Sequence, residues 1–546
     1  MKTYSEEKRI RPHFLTAAVY LAVLIMMVYF IVAVRICGEK GAIFAVGPFF
    51  IYAVFYCSFV LAVQKAVYIM VRLRARRSQF HNAETNMLRS MRIFSISSLV
   101  AGGLLIALSY TLCSVVLGTD RGFIQLIIAG ASIVFLGVQG VLRGYLQGIG
   151  YTKPIVLSDL LIALVSIVSG TIAVGVMYNY GLNVNKLLHA NEFSAVYGST
   201  GLMAGIFIGS LVGFIQTVIS YHLRKAEIQA FVKNGAPRYL DNKNDVLAGI
   251  RPLMPLYATP ALAVLVDLCF YCIFTKKMHK DIDYMASFGI YAGYVICTIA
   301  LFALICTLPY IKSMNRVMAR IERDEFEGAR DRYRRLIRFS NMFFIPVSVF
   351  VFATAETILI ALFGKSNALA NSLLSLGGLM IMCASHSIMS SWLLNHMGKS
   401  VAALVNLGIG WAFHIILLVL FVWPLNMGVM GVLLSGILAV GIYDAFCYLM
   451  ISRVLHHHHE WMMSFVLPLA SAAAAGLVVF LLNKLLINVI GDILTLIVCA
   501  LIFWLVYMLV MVVTGGLLAH ELKRVPFGNL FYGISTAIRR DRYEEG

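Results

Sequence analysis

Charged side chains are rare inside the long apolar segments of the chain, and six of them could do chemistry. They are Arg35, Lys65, Asp159, Asp267, Glu356 and Asp444. A charge inside the hydrocarbon of a membrane costs several kcal/mol by most estimates, so one that is kept there often marks a substrate or ion pathway. The cations could bind phosphate groups, because Coulomb attraction strengthens as the local dielectric falls. The acids could hold a coupling ion, H⁺ or Na⁺, and no other cofactor is indicated.

Three of these residues have a structural interpretation that competes with ligand binding. Arg35 lies at the outer end of the first apolar segment, and Lys65 lies about two turns from the end of the second. Both could extend their charged groups to the membrane surface. Asp267 lies midway along the seventh segment and could be a hydrogen-bonded structural acid, or could hold Lys65 or Arg35 until phosphate arrives.

The remaining acids and two histidines also have structural interpretations. Glu356 could cap the outer end of its segment, and Asp159 and Asp444 lie close enough to the predicted cytoplasmic face to be solvated. His386 and His414 lie within later segments and are predicted to pack there, although a histidine can also carry a proton.

The elements that must position these residues are membrane helices. The chain is 60% hydrophobic and 13% charged, with a mean hydropathy of +0.86, whereas soluble domains contain about 25% charged residues. A helix needs about 20 apolar residues to cross the hydrocarbon. About fourteen segments of this kind are predicted. They are Phe14–Ile36, Ala42–Met70, Met91–Leu117, Gly122–Leu146, Pro154–Tyr178, Thr200–Tyr221, Pro252–Phe274, Tyr284–Leu308, Phe339–Phe363, Asn367–Leu394, Val401–Val422, Met427–Ile451, Met462–Leu486 and Asp492–Leu518.

The net charge of +18 lies mostly in loops on one side of the predicted membrane. The positive-inside rule makes that side, and both termini, cytoplasmic in a multi-pass protein of the cell membrane. Its partners would be anionic lipids or an anionic substrate head group, and not nucleic acid. We find no sequence motif for a nucleotide-binding loop, a zinc protease or a nucleophile elbow, so we predict no enzyme and no metal site.

One turn motif occurs twice. LRGYLQGIGYTKP at Leu142–Pro154 has a looser copy, LLNHMGKSV at Leu393–Val401, about 248 residues later. Each copy predicts a tight turn between two membrane helices, with the glycines permitting the turn and close helix approach. The motif residues of the first copy are Arg143, Gly144, Gln147, Gly148, Gly150 and Pro154.

The duplication predicts two lobes in parallel orientation, each with six helices. Residues 1–223 form the first lobe, 224–251 a cytoplasmic inter-lobe loop, 252–453 the second lobe, 454–518 two extra helices and 519–546 a cytoplasmic tail. Asn179–Ser199 is predicted as a long outer loop, and Lys312–Arg338, rich in both charges, as a solvated helix. The run His456–His459 is predicted as a polar turn.

Several motifs in the same order resemble the MOP flippase superfamily, which contains MATE antiporters, Wzx-type oligosaccharide flippases and MurJ. They are AVRICGEKG at Ala33–Gly41, RGYLQGIGYTKP at Arg143–Pro154, TLPYIKS at Thr307–Ser313 and AETILIALFG at Ala355–Gly364. The chain is most similar to SpoVB-type, MurJ-like polysaccharide biosynthesis proteins. In this resemblance, spans one, two, seven and eight line a central cavity, which favours Arg35, Lys65 and Asp267 as substrate-binding residues.

The resemblance implies transport of a lipid-linked oligosaccharide, such as a peptidoglycan precursor, across the cytoplasmic membrane by alternating access. Fourteen spans resemble MurJ-like and Wzx-like members more than MATE antiporters, which typically have twelve. Two alternatives remain open. One is a cation-coupled multidrug antiporter, in which Asp267 and Glu356 would carry the ion. The other is a membrane scaffold without transport activity that recruits envelope-synthesis or sporulation proteins through Lys312–Arg338.

Overall fold

The protein is an all-α chain of long helices. The computed structural model describes residues 12–117, 121–236, 245–278, 284–456, 461–487, 489–517 and 533, and all regular structure within them is helical. The predicted all-α class is confirmed. The predicted tail 519–546, apart from residue 533, and three of the four residues of the histidine run lie outside the described residues.

Twelve described helices are long and apolar enough to cross a membrane, or thirteen if a bent pair counts as one span. The predicted number of fourteen is therefore not confirmed. Two local features account for most of the difference. The first helix, Phe14–Arg76, counts once, although its backbone leaves the helical conformation at Gly38, where φ is 71°. The bent pair, Ala355–Phe363 and Ala368–Gly378, turns by 116°.

The described helices form two compact units. The first comprises described residues within 1–297 and 398–436. Its helices are α1 Pro12–Phe55, π1 Tyr56–Ala62, α2 Val63–Arg76, α3 Phe80–Ala107, α4 Ser109–Leu112, π2 Cys113–Leu117, α5 Phe123–Ile133, α6 Leu136–Ile149, α7 Lys153–Leu188, α8 Phe193–Lys233, α9 Asp245–Ile250, α10 Leu253–Met278, α11 Tyr284–Gly289, π3 Ile290–Ile296 and, later in the chain, α18 Ser400–Val422.

The second unit comprises described residues within 298–397 and from 437 onward. Its helices are α12 Cys297–Thr307, a 3₁₀ turn Leu308–Tyr310, α13 Ile311–Ile321, α14 Phe326–Ala353, α15 Ala355–Phe363, α16 Ala368–Gly378, α17 Met380–His396, α19 Gly428–Leu455 from residue 437, π4 Met462–Val466, α20 Leu467–Leu486 and α21 Asp492–Val513. The predicted lobe boundaries, which come from the sequence repeat, remain a prediction.

Small residues bring α7 and α8 together in the first unit. Glycines recur every fourth residue along α8, so they lie on one face of the helix. A Cβ added at Gly201 would approach the backbone of Ala173, and one added at Gly209 would approach the Ile162 carbonyl oxygen at 2.7 Å. Apolar helices in a membrane associate through close packing of this kind, because lipid tails are as apolar as leucine.

Two predicted loops and one predicted helix differ from the structure. The prediction of a long outer loop at Asn179–Ser199 is wrong, because α7 continues to Leu188 and α8 begins at Phe193. The proposed inter-lobe loop begins within α8, which continues to Lys233. The solvated helix predicted over Lys312–Arg338 is two helices, α13 and α14, joined by a short turn at residues 322–325. Polar residues in these segments interrupt the apolar stretches of the sequence, but they do not end a helix.

The last two helices are integrated into the second unit. Ile345 and Ala353 of α14 pack with Ala475 of α20 and Phe503 of α21 in one buried cluster. Hydrogen bonds reinforce the packing. The Tyr507 hydroxyl donates to the Met342 carbonyl, and the Thr357 hydroxyl to Asn483 Oδ1. α20 and α21 therefore belong to the core of this unit.

Candidate functional site

The two predicted cations lie on the first two helices, on either side of π1. Arg35 is exposed, three residues before the break at Gly38, and Lys65 is half-buried on α2 with its Nζ 5.7 Å from the Tyr68 ring centroid. Gly38 has open space where a Cβ would lie. Its φ of 71° with ψ of −171° is what requires glycine, since almost no other residue adopts that conformation.

Asp267 is buried in the first unit and paired with a histidine. Its Oδ1 lies 2.9 Å from His414 Nε2 on α18, and its Oδ2 accepts a hydrogen bond of 2.9 Å from the Tyr291 hydroxyl on π3. Asp267 is 3% exposed and His414 5%. The predicted pairing of Asp267 with Lys65 or Arg35 is therefore replaced by a pairing with His414.

A second buried pair lies in the same unit. Arg143, which is fully buried, donates a hydrogen bond of 2.5 Å from its Nη2 to Asp159 Oδ1. The Tyr56 hydroxyl on π1 lies 3.4 Å from the same oxygen and 3.5 Å from Arg143 Nη1. The solvated Asp159 of the sequence interpretation is wrong, because the acid is 2% exposed. Arg143, predicted as a residue of the turn motif, is therefore also one member of a buried ion pair.

The turn after α6 is a tight, glycine-closed cap. Gly150 adopts a φ of 108°, and the Tyr151 amide donates to the Leu146 carbonyl at 2.8 Å, which closes the helix as a Schellman-type cap. Pro154 follows in the first turn of α7, where its missing N–H costs nothing. The copy in the second half also ends in a left-handed glycine, Gly398, with φ of 73°.

The other motif residues hold α6 against α2. A Cβ added at Gly144 would lie 2.7 Å from the Gln64 carbonyl oxygen, and one at Gly148 would collide with Val71. Gln147 accepts a hydrogen bond of 2.9 Å from Gln64. These glycines therefore lie where the two helices approach closely, and Lys65 follows Gln64 on the helix held in this way.

The last two predicted acids lie in the second unit. Glu356 is exposed in the first turn of α15, where a carboxylate is favoured by the helix dipole. Asp444 is half-buried on α19, and its Oδ1 makes no hydrogen bond with the described residues. His386 contacts Asn341 through its Nε2, which fits its predicted packing role.

Sequence reasoning missed the tyrosines and underrated His414. Tyr56 and Tyr291 both lie on π-helices, at the first and second residue of seven. A π-helix contains an extra residue in its turn and often occurs at functional sites. No residue type marks such a turn in the sequence. Nothing therefore distinguished these two tyrosines from the others among the chain's 26. His414 could have been found by asking which group neutralises Asp267.

Comparison with known proteins places this helical arrangement among solved transporters. No protein-family model matches the chain, and no curated protein matches it in sequence. An inward-facing MATE-family multidrug resistance transporter of the MOP superfamily is similar, with a TM-score of 0.57, 14% identity, and coverage of 81% of this chain and 98% of that one. The lipid II flippase MurJ, in an inward closed conformation, has a TM-score of 0.57 at 15% identity over 92% of this chain and 98% of MurJ.

The chain has the fold of these MATE and MurJ structures. A third member, a MOP transporter from Pyrococcus furiosus, is similar with a TM-score of 0.52 and 14% identity, over 84% of this chain and 98% of that one. The twelve or thirteen apolar helices among the described residues, together with this fold, are those of a multi-pass integral membrane protein. At these identities the likeness reaches the MOP fold and does not separate the subgroups within it.

Proposed function

We propose that this protein moves a lipid-linked saccharide from the cytoplasmic to the outer leaflet of the cell membrane by alternating access. The observation that carries the proposal is coverage. The MurJ structure matches 92% of the chain, against 81% for the first MATE structure. The packing of α20 and α21 on α14 also favours a flippase. These two helices are part of the folded second unit, so they count toward the predicted fourteen spans that resemble MurJ-like proteins. A peptidoglycan precursor or another envelope polysaccharide unit would suit this route.

The proposed substrate group is a pyrophosphate, and its proposed ligands are Arg35 and Lys65. An exposed guanidinium can grip two phosphate oxygens at once, whereas a half-buried ammonium acts as a point charge in a lower dielectric. Gly38, between them in sequence, breaks the helix, and irregular backbone at membrane depth is tolerated where it lines a cavity or is buried in protein. Anionic lipids and envelope-synthesis enzymes are proposed as further partners.

The test uses purified protein in liposomes with a fluorescent lipid-linked oligosaccharide in one leaflet. Arg35→Ala and Lys65→Ala should each lower the flipping rate about tenfold or more, the loss expected for one charge-assisted contact. Arg77→Ala is the matched control, because Arg77 is an exposed cation at the end of α2, and it should flip at the wild-type rate. Wild-type protein that is folded but moves no lipid would contradict the proposal.

One observation favours a second candidate, a cation-coupled multidrug antiporter. Asp267 is a buried acid within hydrogen-bond distance of a histidine, a pair suited to carrying a proton. Efflux of an ethidium-type dye under an imposed proton or sodium gradient, lost in Asp267→Asn, would support that candidate. If the protein shows no activity in either the flipping or the efflux assay, the membrane scaffold without transport activity is the favoured alternative.

A further inference from the structure

One helix–turn–helix segment occurs twice in the chain, once in each unit. The turn after α2 has a counterpart after α13, and Asp324 follows Ser78 by 246 residues. Both residues have a positive φ, 57° at Ser78 and 58° at Asp324. The Arg74 carbonyl accepts a backbone hydrogen bond of 2.9 Å from the amide five residues later, and the Arg320 carbonyl accepts one of 3.0 Å. The two turns therefore close in the same way.

The two copies differ in their arginines. The second copy has four arginines along α13 and α14 that are only partly matched in the first. These four residues, the arginine cluster, are Arg316, Arg320, Arg332 and Arg335. At the positions of Arg316 and Arg332, the first copy has Met70 and Asn86. Because the first turn closes without charges at these two positions, the fold of the turn does not account for them.

The arginine cluster is compact. Arg316 and Arg320 are one turn apart on α13, which packs against α14. Gly328, Arg332 and Arg335 share one face of α14, since they lie four and three residues apart. The Arg320 side chain reaches α14 at Gly328, where an added Cβ would collide with its Nη1. Arg332 is close enough to the other three arginines to be repelled by each of them. Four positive charges therefore lie together beside Gly328.

Within the described residues, one ion pair offsets part of this charge. Arg320 Nη1 lies 3.5 Å from Glu325 Oε2. Arg332 Nε is buried and makes no hydrogen bond with any described residue. Like charges held close together cost free energy, and so does a buried donor without a partner. A bound anion would lower both costs. It can reach the arginine cluster from water, because Arg316 and Arg335 are exposed.

The first copy of the turn is covered by the chain itself, whereas the described residues leave the second copy open. The Phe231 ring of α8 stacks on Phe80 at 5.5 Å, and the Ala236 amide donates to the Ser78 carbonyl at 2.9 Å. Phe326 has the position of Phe80 in the second copy and is 49% exposed. The second turn is therefore the copy with room for a ligand.

We propose that the arginine cluster binds a ligand with two neighbouring phosphate groups. A guanidinium can bind two phosphate oxygens at once, and two phosphates supply several negative charges for four arginines and one glutamate. The cluster lies between the predicted spans that end at Leu308 and begin at Phe339, on the predicted cytoplasmic side. The phosphates could belong to a soluble diphosphate or to lipid head groups, and the test distinguishes the two. The site is independent of the proposed transport function.

The first measurement is calorimetric titration of inorganic pyrophosphate into the full-length protein in detergent at low ionic strength. The protein carries Arg35→Ala and Lys65→Ala, so that heat from the proposed substrate site is removed. Pyrophosphate should bind at one site per chain. Added salt should weaken the binding, because it screens charges at an exposed site. Inorganic sulfate, a smaller anion of lower charge, should bind more weakly.

Three variants of this protein test whether the geometry of the cluster matters. Arg332→Gln should raise the Kd about tenfold or more, the loss expected for one charge-assisted contact. Gly328→Ala should raise the Kd as well, although it removes no charge, because its Cβ would displace Arg320. Arg330→Gln is the matched control and should leave the Kd unchanged. It removes the same charge from the same helix, but Arg330 lies two residues from both Gly328 and Arg332 and so faces another side of α14.

Nanodiscs distinguish the two sources of phosphate. In phosphatidylcholine nanodiscs, pyrophosphate should bind as it does in detergent. If added phosphatidylglycerol abolishes this binding, lipid head groups occupy the arginine cluster. If pyrophosphate still binds and Arg332→Gln still weakens it, the ligand is a soluble diphosphate.

Three results would overturn the proposal: no binding of pyrophosphate by the folded protein, an unchanged Kd in Gly328→Ala, or an equal loss in Arg330→Gln and Arg332→Gln. The last result would indicate a diffuse positive surface and no site. Circular dichroism checks that each variant is folded, and Gly328→Ala keeps every arginine of the cluster. The flipping assay depends on Arg35 and Lys65 and the titration does not, so either can fail without the other.

Discussion

At the scale of single residues, the Arg143–Asp159 pair permits a sharp stability test. Arg143 is fully buried with its Nη2 2.5 Å from Asp159 Oδ1. Removing one member of a buried ion pair leaves the other charge uncompensated. Arg143→Met should therefore lower the free energy of unfolding by about 3–5 kcal/mol, whereas the double change Arg143→Met with Asp159→Leu should be nearly neutral or stabilising.

Thermal unfolding of the purified protein in detergent measures both variants. The double variant is the informative one, since the single change could act through lost packing. If both destabilise equally, the size and shape of the side chains, and not their charges, hold α6 and α7 together.

For Asp444, which is half-buried, removal of the charge is expected to have the opposite effect on stability. One of its oxygens is buried with no hydrogen bond to the described residues, so its charge costs desolvation without a matching contact. Asp444→Asn should leave the unfolding temperature unchanged or raise it. The same substitution at Asp159 is the matched control and should lower the unfolding temperature, because it leaves Arg143 uncompensated. A lower unfolding temperature for Asp444→Asn would show that the carboxylate makes a stabilising interaction.

At the scale of elements, the contact between α6 and α2 depends on glycine. A Cβ at Gly144 would lie 2.7 Å from the Gln64 carbonyl oxygen, which cannot move without the helix. Gly144→Ala should therefore lower the free energy of unfolding by about 1–3 kcal/mol, the usual effect of overpacking. Because Lys65 follows Gln64, the flipping rate should fall as well.

Gly175 is the control for this prediction. It lies within α7, and no atom lies within 4 Å of an added Cβ. Gly175→Ala should be neutral or stabilise by about 0.5–1 kcal/mol, since alanine is the better helix former. Chemical or thermal unfolding of the two variants side by side separates packing from helix propensity. Equal effects at both positions would contradict the close contact.

At the scale of the whole molecule, the last two helices are predicted to be indispensable to the second unit. They share a buried cluster with α14, and the Arg338 guanidinium donates to the Gly516 carbonyl at 3.2 Å just beyond α21. A chain ending after Leu455 would expose that apolar face of α14 and lose this bond. We expect the truncated chain to aggregate in size-exclusion chromatography in detergent. A monodisperse truncated protein with the helix content expected for its length would show that the second unit does not need this pair.

The class of protein and much of its helical pattern could be predicted from the sequence alone. Apolar segments near the spanning length of about 20 residues cannot be anything but membrane helices when charge is so scarce. The turn at Gly150 was readable as well, because a glycine followed by lysine and proline has few other local conformations. These features are local in the chain, so local composition is enough to predict them.

Which charged side chains come into contact depends on how the helices pack in the folded protein. Asp267 and His414 are 147 residues apart in sequence, and Arg143 and Asp159 lie on different helices across a turn. The π-helices that present Tyr56 and Tyr291 also depend on packing, because no residue type requires the extra residue in the turn. A buried charge selects its partner by proximity in the folded state, and that proximity follows from how the helices pack.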